Sequence, residues 1–234
     1  MAVTKGAGMS SSHTQNYDSS LDKVLHKRSD LHILRKLWHI ATGSVGLFFF
    51  MRSEPGEQQF WAFLVLGMAL SGFVLDIVRS RSKMVNHMVL TVAGPLMRRS
   101  EREGMSGLPF YALGVSLSLF FYNRDIAVLS VMFLVFSDPL SSFFGVLYGK
   151  DKIMPNKSLQ GAVAGFFTCY LITLFYTMNH VTLGNHMLVF AVVAGLIGAL
   201  SELVSAFNVD DNLTIPVLSG LGMTVLNHFV TVFP

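Results

Sequence analysis

Uncharged apolar runs recur along the chain at 60–75, 108–122, 126–137, 158–178, 186–201 and 213–233, separated by short polar clusters. A helix needs about twenty predominantly apolar residues to cross a bilayer. Taken with their flanks, the runs predict seven spans, at about 37–52, 60–78, 108–122, 126–148, 158–178, 186–206 and 213–233. The stretch 83–97 (KMVNHMVLTVAGPLM) is short, basic at both ends and contains Gly94-Pro95, so it reads as an interfacial or re-entrant helix. The expected fold is all-α: a polytopic integral membrane helical bundle of about seven transmembrane helices. It forms one membrane domain over 31–234. Residues 1–30 are polar and Ser-rich, without the apolar core of a signal peptide, and read as a disordered tail.

Composition agrees with this pattern. The chain is 52% hydrophobic and 13% charged, with mean hydropathy +0.53, whereas a soluble domain carries roughly 25% charged residues. The single cysteine, Cys169, excludes an intrachain disulfide and a thiolate metal cluster. Charge placement sets the orientation. With the N-terminus cytoplasmic, only Arg52 and Arg124 of the 17 Lys and Arg residues fall on the far side, as the positive-inside rule requires. A span at 83–97 would place the lysines of 149–157 outside. The protein is therefore expected in the endoplasmic reticulum or nuclear membrane of a eukaryote, or the inner membrane of a bacterium.

The same spans gather the unusual polar residues at the cytoplasmic face: Arg35, Lys36, His39, Arg98, Arg99, Lys150, Lys157, Glu202, Asp210, Asp211 and Asn212. Within the fourth span, Asp138, Ser141, Ser142, Gly145 and Gly149 share one helix face. Asp138 lies about ten residues inside, roughly 15 Å along a regular helix, where a carboxylate facing lipid costs about 3 kcal/mol or more. It must meet water, a cation or a broken helix, and Pro139 is a candidate breaker. Similar stripes are Arg35, His39, Thr42 and Gly46 in the first span, and Gly195, Ala199, Glu202 and Ala206 in the sixth. Gly161 and Gly165 form a GxxxG packing pattern. Each feature also has a plainer reading. Glu202 can pair with a cation, the lysines of 150–157 can enforce topology, Arg98 can meet lipid headgroups, and Asp211 or Asn212 can cap the last helix. A cap needs one side chain, however, and leaves a neighbouring carboxylate unexplained. His87, His180, His186 and His228 show no metal-ligand spacing.

Carboxylates facing lysines and arginines suit a metal–polyphosphate: acids hold the cation, and bases stabilise charge moving during phosphoryl transfer. No G-x-x-x-x-G-K-[ST] loop and no H-R-D or D-F-G set occurs. The residues therefore point to an enzyme acting on a lipid headgroup with a polyphosphate. A transporter, which also uses buried carboxylates and broken helices, stays open beside it.

Four blocks resemble the CTP-dependent lipid kinases, the family of dolichol kinase, phytol kinase and CTP-dependent diacylglycerol kinase. They are Arg35-Lys36-Leu37-Trp38-His39; GPLMRRSEREGMSGLPFYALG at 94–114; SDPLSSFFGVLYGK with the following NKSLQG; and ALSELVSAFNVDDNLTIPVLSG. The last and the LMRRSE string look most like the diacylglycerol kinase branch. The resemblance implies transfer of the γ-phosphate of CTP to a lipid hydroxyl with a divalent cation, Mg²⁺ or Ca²⁺. Diacylglycerol is the first candidate, with polyprenol, dolichol or phytol next. The implied catalytic residues are Asp138, Glu202 and Asp211. Arg35, Lys36, His39, Arg98, Gly145, Lys150, Lys157 and Ser158 would handle the nucleotide, and Asp138, Glu202, Asp210, Asp211 and Asn212 the metal. Pro139-Leu140 depart from the small residues that usually follow this aspartate. Cytidylyltransferases of the CDP-diacylglycerol synthase type look similar around Asp138 and Lys157-Ser158, but their later G-H-G-G-x-x-D-R signature is absent. No nucleic acid is expected as a partner, and a homo-oligomer is compatible with this reading.

Overall fold

The computed structural model describes residues 33–98, 101, 102, 104–181, 186–204 and 209–234. The polar tail at 1–30 and Arg99 lie outside the described residues. Nine α-helices follow in order among them: α1 (Ile33–Arg52), α2 (Gln58–Arg81), α3 (Lys83–Ala93), α4 (Gly107–Phe121), α5 (Arg124–Met132), α6 (Asp138–Tyr148), α7 (Leu159–His180), α8 (His186–Val204) and α9 (Asp211–Phe229). Among the described residues, four segments are long and apolar enough to cross a membrane: Pro55–Arg81, Arg124–Tyr148, Leu159–His180 and His186–Val204. Helix α4 is apolar but shorter. Helix α3 has 11 residues, about 16 Å of rise, too short to span a core of roughly 30 Å.

The bundle is built for an apolar solvent. Large hydrophobic side chains such as Phe60, Phe63, Met68, Phe167 and Phe229 are exposed, while Ser116, Ser130, Thr173, Thr177 and Ser219 are buried. Thr173 and Thr177 donate to the carbonyls of Cys169 and Thr173 at 2.8 and 2.9 Å, so their hydroxyls are satisfied within the helix. Such an exposed apolar belt marks a membrane protein.

At the centre stands the 124–148 rod, whose most apolar stretch is 67% buried against 17% for Pro55–Arg81. Ile126, Leu129, Phe133, Leu134 and Val135 form its core contacts. Helix α7 packs on α6 and α8, α9 on α4, α5 and α8, and α2 on α4. Pro139 does not break the rod, contrary to expectation. A wide π-turn over Phe133–Ser137 joins α5 to α6. The extra residue accommodates a proline that has no N–H to offer the preceding turn.

Two further expectations need correction. The 149–157 segment is not a plain loop, because Lys152–Met154 (β1) pairs antiparallel with Lys157–Ser158 (β2). The last helix begins at Asp211 rather than 213, and its cap is Asp210. That side chain accepts from the Asn212 backbone N–H at 3.0 Å.

Opposite ends of the bundle carry different chemistry. At one, Arg124 donates to the carbonyls of Phe50 and Ser53 at 2.7 and 2.8 Å, and Gln58 to those of Leu119 and Tyr122 at 2.8 and 2.9 Å. These are ties between helix ends, and Arg52, Glu54, Glu57 and Asp125 stand near them. All four ion pairs among the described residues lie at the other end.

Candidate active site

Helix α1 delivers Arg35, Lys36 and His39 to the polar end. Arg35 Nη1 donates to Glu101 Oε1 at 2.6 Å, and Glu101 Oε2 accepts from the Arg98 backbone N–H at 3.0 Å. Arg98 Nη2 in turn lies 3.5 Å from Asp211 Oδ2. The loop supplying Arg98 and Glu101 is held from beneath by a buried pair in α2, Arg79 Nε to Asp76 Oδ1 at 2.6 Å. Arg79 also donates to the Glu101 carbonyl at 2.9 Å, and Asp76 Oδ2 accepts from the Ser106 backbone N–H at 2.7 Å. Removing either member would leave an uncompensated buried charge, so the latch fixes the loop.

Across the site, Glu202 of α8 meets Lys157 Nζ at 2.9 Å and accepts from Ser141 Oγ at 2.6 Å. Ser158 caps α7, accepting from the Gly161 N–H at 3.2 Å. Glycines bring these elements close. A Cβ on Gly161 would stand 3.0 Å from the Ser141 carbonyl and 3.2 Å from the Gly145 Cα. One on Gly145 would stand 3.3 Å from Ser158 Oγ. Between α6, the hairpin and α8 lies a cavity of about 290 Å³, lined in part by Ser142, Gly145, Lys152, Asn156, Lys157 and Glu202. That size is at the lower end of ordinary ligand sites. A smaller polar pocket, about 40 Å³, lies by Arg35, His39, Glu101, Gly107, Tyr111 and Asn212.

Asp138 opens α6 directly after the π-turn and is partly buried. Its backbone N–H donates to the Phe133 carbonyl, while its carboxylate makes no hydrogen bond among the described residues, yet interacts electrostatically with Asp211, Lys157, Glu202 and Arg98. Lys36 interacts with Asp138 and Arg98, and His39 with Arg35, Asp211 and Arg98. Arg35, Lys36, His39, Arg98, Asp138, Lys157, Glu202 and Asp211 thus share one field. Three of their buried polar atoms, Lys36 Nζ, His39 Nε2 and Asp211 Oδ1, have no hydrogen-bond partner among the described residues.

The loop charges respond to each other. Burial alone would push the Asp211 carboxyl up, but Arg98, Lys157 and Arg35 outweigh it and hold it below the ordinary range. Burial would lower the Lys157 ammonium, but Glu202, Asp138 and Asp211 raise it on balance. Burial and then Asp211 raise Asp210, despite its bonds from Asn212.

Three expected residues stand differently. Lys150 is exposed and outside the cavity wall, where Lys152 stands instead. Asp210 receives the Asn212 side chain at 2.7 Å, and that amide also donates to the Gly107 carbonyl at 3.4 Å. Both are engaged in building the start of α9. Glu101 is an organising residue that helical spacing did not single out, although it stands in the second block of the resemblance, in the mixed string RRSERE. Among the described residues, no three His, Cys, Asp or Glu side chains form a ready-made metal site. Magnesium needs only one or two carboxylates when substrate phosphates complete its shell. The unpartnered Asp211 Oδ1 and the unbonded Asp138 carboxylate fit that demand.

Comparison with known proteins follows the same residues. A family profile described as "Cytidylyltransferase family" matches residues 24–207. The chain is 30% identical over 215 residues to "CTP-dependent diacylglycerol kinase 1" of Saccharomyces cerevisiae, covering 83% of this chain and 73% of that protein. It is 36% identical over 160 residues to the Schizosaccharomyces pombe protein of the same name, 64% and 73% of the two chains. A "Farnesol kinase, chloroplastic" of Arabidopsis thaliana is 26% identical over 203 residues, 82% and 64% of the two. No solved structure matches the chain.

Proposed function

Since the chain belongs to the cytidylyltransferase family, alongside the CTP-dependent lipid kinases that match most of its length, we propose that it phosphorylates a membrane lipid hydroxyl with CTP, diacylglycerol first, yielding phosphatidate. One observation carries the reading: the Asp138 carboxylate stands unbonded among Lys157, Arg98, Lys36 and Asp211, at the polar end of a bundle whose flanks are apolar. Lipid hydroxyls sit at headgroup depth, so donor and acceptor would meet at that end.

In this mechanism Lys157 and Ser158 of the cavity, with Lys36, Arg35 and Arg98 opposite, bind the phosphates; Gly145 leaves room for them. Asp138 accepts the proton of the lipid hydroxyl as its oxygen bonds to Pγ. The bond from Pγ to the β–γ bridging oxygen breaks, and CDP leaves with that electron pair. Asp138 and Asp211, with Glu202 behind them, would hold the divalent cation, which neutralises phosphate charge when bound. Lys150, Asp210 and Asn212 stay outside the reacting set here. We further propose seven crossings, adding α1, α4 and α9 to the four long apolar segments, with the active site cytoplasmic.

Diacylglycerol and, in a parallel reaction, phosphatidate, each supplied with γ-labelled or α-labelled CTP, test this. Label from γ in phosphatidate is expected. Label from α in a CDP-lipid, formed from phosphatidate, would instead assign a cytidylyltransferase. Asp138→Asn should lower kcat by about 10²–10⁴-fold, the worth of a positioned base, without changing the thermal midpoint. Near-normal turnover would remove Asp138 from the chemistry.

A further inference from the structure

We infer that one hydrocarbon chain of the lipid substrate lies in a cleft enclosed by α1, α2, α4 and α5, an inference that rests on the lipid-kinase reading above. The cleft measures about 230 Å³, and its walls are nearly all apolar, Leu47, Leu64, Met68, Val115 and Val128 among them. Thr42 and Tyr111 belong both to this cleft and to the polar pocket containing Arg35 and His39. The two spaces therefore adjoin, the lower one apolar and the upper one holding the Arg35–Glu101 pair and His39. His39 packs edge-on against Tyr111 with ring centroids 4.3 Å apart, and its Nε2 is buried without a partner among the described residues. A lipid hydroxyl or ester carbonyl at the junction would satisfy it.

The dimensions suit a chain within one leaflet. From Thr42 to Phe50 is eight residues of helix, roughly 12 Å, against half of a hydrocarbon core of roughly 30 Å. Phe50 and Trp61 close the far end as an edge-to-face pair 6.5 Å apart. Leu64 and Met68 are 45% and 61% exposed, so the cleft opens sideways to the bilayer. Gly46 keeps it empty: a Cβ there would meet nothing within 4 Å. Gly43, by contrast, is packed against Val135 and Tyr111. A larger groove of about 560 Å³ runs beside α7 by Met132, Phe136 and Phe175, but it shares no lining residue with the polar pocket and reaches His180 at the opposite end.

Photo-crosslinking of the full chain with a diacylglycerol carrying a diazirine in one acyl chain reads the site without needing turnover. Adducts are expected on α1, α2 and α4 peptides that line the cleft, and Gly46→Phe should greatly reduce them. The same variant should raise KM for long-chain diacylglycerol by about tenfold or more, with a distinctly smaller rise for a short-chain analogue. Gly67→Phe, on an exposed face of α2 outside the cleft, should change neither. Adducts confined to the α7 groove, or equal effects of Gly46→Phe on both chain lengths, would overturn the inference. Cleft adducts without γ-label transfer would keep the chain site and reject the kinase reading; transfer with adducts elsewhere would do the reverse.

Discussion

Three neighbouring polar residues at the start of α9 do different work. Asp210 closes the helix end, Asn212 ties it to α4 through the Gly107 carbonyl, and Asp211 alone of the three keeps a buried oxygen without a hydrogen-bond partner among the described residues. Adjacent positions diverge because successive helical side chains point about 100° apart, so one faces the cluster while its neighbours serve the backbone. The sequence showed that a cap would leave one carboxylate over, but not which. The sign of the Asp211 shift gives a pH test. Its folded carboxyl lies below the ordinary 3.8, so its stabilisation is present above that value and is lost as pH falls through the folded one. The gap in thermal midpoint between wild type and Asp211→Asn should therefore be widest near neutral pH and close on acidification. A gap that does not narrow would mean that Arg98 contributes nothing through this pair.

Between elements, glycines decide how near the site's walls can come. Gly114 is the sharpest case: a side chain there would run into the Asn212 carbonyl and stand 2.8 Å from Pro216 Cγ, so α4 and α9 touch backbone to backbone. Gly114→Val should cost about 1–3 kcal/mol, as overpacking does, and weaken CTP binding by displacing Asp211. Thermal unfolding and equilibrium CTP binding check both. An unchanged midpoint would mean that the contact is soft. Helix existence was legible along the chain because each apolar run is long and periodicity is local. The π-turn was not, since Pro139 signalled a disturbance while its form depends on how α5 and α6 pack. The β-hairpin at 152–158 escaped for a similar reason: its strands have only three and two residues, too few for a periodic pattern.

Over the whole molecule, all three acid–base links of the site lie at one end and the Arg124 and Gln58 ties at the other. If the site faces the cytoplasm, a cysteine placed at exposed Lys152 should react with an impermeant maleimide only from that side of sealed vesicles. One at exposed Glu54 should react only from the opposite side. Buried Cys169 should stay silent in both. Labelling of both positions from one side would reject the crossing pattern. Chain order alone determined the membrane character, the helical runs and the gathering of the polar cluster at one end, because hydropathy and charge act over short stretches against a uniform solvent. Only the packed bundle decided that Glu202 is already engaged by Lys157 and Ser141, that Lys152 rather than Lys150 reaches the cavity, and that Glu101 organises Arg35 and Arg98. Those outcomes depend on distances between residues far apart in the chain, which no local pattern encodes.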